Sequence, residues 1–144
     1  MNLNESVRDW INHRISDYPS LAGVTLATMG ETADLSPPFV GIYETGSELH
    51  ETEGVIIPGV SDFEITCELH TVPADEDNEG TTPADERAMR RDLYSILGDR
   101  AAIDWMTERN DWRVFDIRTP SPTSEPSEGR RLTSWILTII ACPI

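Results

Sequence analysis

A chain of 144 residues and 16.1 kDa is long enough to bury one core without disulfides or a metal, so a single domain over residues 1–144 is expected. Its formal net charge of −15 and the absence of any basic residue between Arg14 and Arg87 leave no basic stripe for releasing counterions from a duplex, which argues against stable binding to DNA or RNA. No apolar run approaches the roughly 18 residues that span a bilayer, and the polar start MNLNESVRDW predicts neither a leader nor a membrane segment.

The charge is regional. Residues 15–86 hold sixteen acids and no base, whereas the rest of the chain holds ten acids against eleven arginines and no lysine. Two origins fit this distribution. One is a surface past which DNA slides without sticking; the other is adaptation to high salt, where the Debye length shrinks to about 3 Å at 1 M and dense like charges become tolerable.

Along the chain, Leu3, Val7, Trp10, Ile11, Ile15 and Tyr18 form one apolar stripe with a period of about 3.6 residues, and Asn2 or Asn4 can cap it. A helix over 4–17 is predicted, ended by Pro19. Gly23-Val24-Thr25-Leu26-Ala27 reads as a short strand. Phe39-Val40-Gly41-Ile42-Tyr43 and Glu53-Gly54-Val55-Ile56-Ile57 read as two more, joined as a hairpin with a long tip. In residues 62–72, Phe63, Ile65, Cys67 and Leu69 alternate with Glu64, Thr66, Glu68 and His70, the pattern of a strand with one dry face and one wet face. Thr82, Pro83, Asp85 and Glu86 then spell a helix start, with a threonine cap, proline in the first helical position and acids in the first turn. Met89, Leu93, Ile96 and Leu97 form its buried stripe, Gly98 ends it, and residues 101–106 predict a short further helix. Strand-like runs 112–119 and 132–142 close the chain, divided by the Pro- and Ser-rich stretch 120–129, which is expected to be a mobile loop too polar to pack. The order predicts an α+β domain: a mixed or antiparallel sheet of about five strands, flanked by an N-terminal and a central helix.

Candidate chemistry is sparse. His13 falls on the polar helix face, His50 in a loop and His70 on a wet strand face, and none sits in a recognisable catalytic pattern. The two cysteines, Cys67 and Cys142, lie in strand-like runs and read as reduced core residues; Cys67 and His70 alone cannot close a zinc site. The sharpest metal signal is an EF-hand-like spacing, with Asp75, Asp77 and Glu79 at positions 1, 3 and 5, Gly80 at 6 and Glu86 at 12. Against it, position 5 is not Asp or Asn, Thr82 stands at position 8, Pro83 stands at position 9, and a strand enters the loop where an EF-hand has a helix. These residues are weak calcium candidates, and an acidic loop whose last residues cap a helix is the favoured explanation. A carboxylate pair such as Glu64 and Glu68 is a further, unpartnered possibility for catalysis. Trp10, Trp105, Trp112 and Trp135 are expected as core or subunit-contact residues.

In element order and length, from the phrase Val7-Arg8-Asp9-Trp10-Ile11 through the helix at 87–97 to the final strand at 134–140, the chain resembles the tail terminator (tail completion) proteins of long-tailed phages and viruses. The resemblance covers nearly the whole chain and rests on architecture, since that family has no catalytic signature to match. It implies a structural virion protein with no enzymatic activity, cofactor or metal, made in the host cytoplasm and resident in the tail or neck. Its subunits would form a homohexameric ring that caps the tail tube protein and docks the neck or head completion protein, with double-stranded DNA passing through without specific binding. A head-to-tail ring needs two different patches per subunit, and residues 44–61 and 120–129 are the expected loops that reach a neighbour. Another head–tail joining protein, or a calcium- or small-ligand-binding module centred on residues 75–86, would fit the same residues.

Overall fold

The computed structural model of the chain describes residues 2–28, 35–75, 79–109, 112–127 and 129–144. In chain order these form helix α1 (Leu3–Arg14), two short 3-10 turns, strands β1 (Thr25–Thr28), β2 (Phe39–Thr52) and β3 (Val55–Thr71), helices α2 (Pro83–Leu97) and α3 (Ala101–Arg109), and strands β4 (Trp112–Arg118), β5 (Thr123–Ser127) and β6 (Arg130–Pro143). The strands make one curled mixed sheet in the order β1-β2-β3-β6-β4, with β5 also paired to β6. β1 runs parallel to β2, and the other pairings are antiparallel. The α+β architecture expected from the sequence is therefore the observed one, with α3 as the predicted extra helix.

The helix ends follow local chemistry. The Asn2 N–H donates to Glu5 Oε2 at 3.2 Å at the start of α1. The Asp85 N–H donates to Thr82 Oγ1 at 3.2 Å, with Pro83 in the first turn of α2. The stripe Leu3, Val7, Trp10 and Ile11 buries against Ile42, Ile65, Cys67, Leu69, Trp135 and Leu137 of the sheet and against Leu93, Ile96 and Leu97 of α2. Each fully buried aliphatic side chain contributes about 1.5–3 kcal/mol relative to exposure. Polar ties fix the angles between elements: Trp10 Nε1–H donates to the Ile96 carbonyl at 2.9 Å, joining α1 to α2, and Thr119 Oγ1 donates to the Leu97 carbonyl at 3.0 Å, joining α2 to the strand region that follows.

All three helices pack on one side of the sheet. Period-2 alternation puts Ile65, Cys67 and Leu69 of β3, and Trp135, Leu137, Ile139 and Ala141 of β6, on that dry face. The opposite face carries Glu64, Thr66, Glu68 and His70 beside Thr138, Ile136, Ser134 and Leu132.

Three expectations are corrected. The predicted strands at 53–57 and 62–72 are one continuous β3, joined to β2 by the two-residue turn Glu53-Gly54, so residues 44–61 belong to two strands and their turn and not to a loop, with residues 57–60 left without a β2 partner. The divider 120–129 contains β5, whose backbone pairs with residues 130–134 of β6. Its polar side chains do not prevent this, because ladder hydrogen bonds need only backbone groups. The first helix ends as α-helix at Arg14 and continues to Asp17 as a 3-10 turn.

Candidate assembly surfaces

Residues 72–81 are pinched at the neck. The Thr81 N–H donates to the Val72 carbonyl at 2.7 Å, and the Ala74 N–H donates to the Thr81 carbonyl at 3.0 Å. Gly80 sits where an added Cβ would collide with backbone atoms of Val72, Pro73 and Ala74, so this approach admits only glycine. Asp75 and Glu79 stand at the exposed ends of the segment, while Asp77 lies outside the described residues. Glu86 does not turn toward them. Its side chain is 7% exposed and lies in an ion cluster, with Oε1 2.9 Å from Arg131 Nε and 3.5 Å from Arg90 Nη1, and Oε2 accepting from Thr71 Oγ1 at 3.4 Å. The twelfth position of the EF-hand-like spacing is thus held by two guanidinium groups and a hydroxyl that tie α2 to β3 and β6. Among the described residues no three His, Cys, Asp or Glu side chains converge to hold a metal ion.

The histidines also have structural neighbours. His13 stacks on Trp105, with ring centroids 5.1 Å apart. His70 stacks on Phe39 of β2, its direct cross-strand partner, at 4.3 Å, and its Nε2 lies 3.3 Å from Glu68 Oε2. Burial holds His70 below its usual pKa, opposed by the Glu68 carboxylate. Cys67 points to the opposite, dry face, where desolvation pushes its thiol up to about 12. His50, expected in a loop, is on β2; its Nδ1 meets Asp62 Oδ1 of β3 at 2.7 Å, and its Nε2 meets Thr52 Oγ1 at 3.1 Å. Trp10 and Trp135 are core residues, and Trp105 and Trp112 are partly buried against the core. Glu64 and Glu68 share the open face with Thr66 between them; Glu48, Asp62, Glu64, Arg118 and Ile136 line a shallow concavity of about 480 Å³ there.

The feature that stands out from the body is the distal half of the β2–β3 hairpin. Among the described residues, β1 accompanies β2 only as far as Ile42 and β6 accompanies β3 only from Ser61 onward, so residues 49–60 form a two-stranded arm. From Leu49 to the turn it reaches about 13 Å at roughly 3.3 Å per residue. The turn has φ 52° at Glu53 and 80° at Gly54, the doubly left-handed geometry that matches the twist of paired strands. Where the arm leaves the body the register slips from Leu49↔Ser61 to Glu51↔Ile56, setting His50 against residues 57–60, and the His50–Asp62 contact bridges the strands at that point. The arm shows Leu49, Val55, Ile56 and Ile57 to solvent at 59, 61, 47 and 38% exposure. Because Val55 and Ile56 alternate, apolar groups face both sides of the ribbon tip, whereas Val60 at the base is buried. Glu51 and Glu53 are the charged residues of the arm, and Glu48 stands at its base.

No protein-family model matches the sequence, and no curated protein matches it. Among the described residues, no helix is long and apolar enough to cross a membrane.

Sequence reading missed this arm. The available signal was the dipeptide Glu53-Gly54 between two β-compatible runs, together with Val55-Ile56-Ile57 placed where no helix stripe could cover them.

Proposed function

We propose that the chain is a structural virion protein of the tail terminator kind, a non-catalytic subunit whose self-assembly caps a tail tube and joins it to the neck. The observation that carries this reading is the projecting arm: a two-stranded ribbon is marginal in water on its own, and one that shows four large aliphatic side chains is built to be covered by another surface. The element order that resembles the family supports the same reading. So does the chain's regional acidity, which would keep a lumen from trapping the phosphate backbone of passing DNA.

The test is light scattering of the purified chain in low and multimolar salt, with negative-stain imaging of the same samples in the presence and absence of tail tubes. A closed ring with a central hole that seats on tube ends and stops their growth is the expected result. Self-assembly with no effect on tubes would reject the tail role. Folding confined to multimolar salt would assign the acidity to salt adaptation.

A further inference from the structure

We infer that the acidic, apolar β2–β3 arm docks onto the β4 edge of a second copy of this chain, making a head-to-tail contact between two unlike surfaces. The inference deepens the proposed function by naming the contact, and it rests on that reading for the expectation that the contact repeats into a closed ring.

The acceptor surface is built by a bulge. Across β6, Val114 pairs with Ala141 and Asp116 with Ile140, so Phe115 is an extra residue with no partner opposite. The insertion shifts the alternation, so that Val114 and Ile117 both point into the core and Phe115 is displayed at 46% exposure. Arg113 lies over the Phe115 ring, 5.5 Å from its centroid, and Arg109 at the end of α3 lies over Trp105 at 5.2 Å. Among the described residues neither guanidinium pairs with a carboxylate. Arg100 and Arg118, by contrast, are both engaged by Asp116, at 2.8 and 3.5 Å. β4 is the last strand of the sheet among the described residues, and its outward backbone groups are already engaged: the Val114 N–H donates to Thr107 Oγ1 at 3.1 Å and the Ile117 carbonyl accepts from Arg100 Nη1 at 3.1 Å, so a partner here meets side chains and not an open ladder.

Arm and edge are complementary in two respects. The arm is acidic through Glu51 and Glu53, with Glu48 at its base, and the edge offers Arg109 and Arg113. The arm shows Val55, Ile56 and Ile57, and the edge shows Phe115. The chain's uneven charge, with bases absent from 15–86 and concentrated after it, is what such a contact needs: each copy carries one partner of each sign on different faces. A contact between unlike patches repeats from copy to copy and either closes into a ring or runs on as a filament.

The experiment uses the full chain in two variants. One replaces Val55, Ile56 and Ile57 of the arm by serine; the other combines Arg113→Glu with Phe115→Ser at the edge. All five positions are exposed, so both variants should keep the wild-type circular dichroism spectrum. Sedimentation and native mass spectrometry should show wild-type oligomers, and each variant alone should associate at least about 30-fold more weakly. Mixed in equal amounts, the variants retain one working arm and one working edge per pair, so a 1:1 heterodimer and nothing larger should form. Wild-type protein that stays monomeric at about millimolar concentration in both low and multimolar salt would overturn the inference, as would variants that assemble like wild type. Rings that cap tubes but ignore both variants would sink this contact and leave the tail reading standing. Arm-dependent oligomers that ignore tubes would do the reverse.

Discussion

Glu86 separates a structural from a metal-binding reading of the acidic segment. Replacing it by alanine removes the carboxylate from Arg131 Nε at 2.9 Å, from Arg90 Nη1 at 3.5 Å and from Thr71 Oγ1 at 3.4 Å. Breaking a fully buried pair costs about 3–5 kcal/mol, but Arg131 and Arg90 are 43% and 27% exposed and recover water, which lowers the ionic part to about 1 kcal/mol. Thr71, 1% exposed, loses its acceptor at a cost of about 1 kcal/mol. A total of about 2 kcal/mol at this chain length corresponds to a fall in Tm of about 6–8 °C. Thermal melts by circular dichroism, with chelator and with millimolar calcium, read it directly. The structural account expects that fall in both conditions and no calcium effect on wild type. If calcium raised the wild-type Tm and Glu86→Ala abolished the rise, Glu86 would be a ligand and the ion-cluster reasoning would be refuted; a variant within 2 °C of wild type in chelator would refute the magnitude.

Other substitutions probe the fold and the arm. Trp135→Ala, at a fully buried central position of β6, should destabilise by about 3–5 kcal/mol in urea titration. Glu53→Asn should stabilise the hairpin turn by about 1 kcal/mol, because asparagine tolerates the φ of 52° better than glutamate, and amide exchange in residues 49–60 should slow. Native protein at pH 8 should resist a thiol reagent at Cys67, whose thiol burial raises to about 12, while the half-buried Cys142 reacts first. Stability should fall with acid in two windows. His70 is held below its usual 6.5 mainly by burial, so the folded state disfavours its charged form and stability drops as pH falls below about 6.5. Asp92 and Asp116 are held below 3.8 by hydrogen bonds from Arg91 and Arg100 respectively, so their contributions persist above that pH and are lost as it falls further; Asp92→Asn should flatten this second window in pH-dependent melts.

Local chemistry determined much of this protein from sequence. The stripe of α1, the Thr82-Pro83 start of α2, its stop at Gly98 and the alternation through Phe63, Ile65, Cys67 and Leu69 depend on near neighbours, and each appears where the pattern placed it. Pairing decided what those patterns could not. The stretch 44–61 is polar enough for a loop, yet β2 and β3 pair on both sides of an irregularity at His50 and residues 57–60, and the left-handed turn at Glu53-Gly54 makes the outer pairing possible. β5 exists because β6 extends past the end of β4 and offers it a free edge. Glu86 looked like a ligand by spacing alone, but the chain brings Arg131, 45 positions away, into contact with it. Phe115 looked like one more strand residue until a single extra residue in the ladder turned it outward. Sequence records which groups are apolar or charged; only the tertiary ladder decides which of them meet and which are left for a partner.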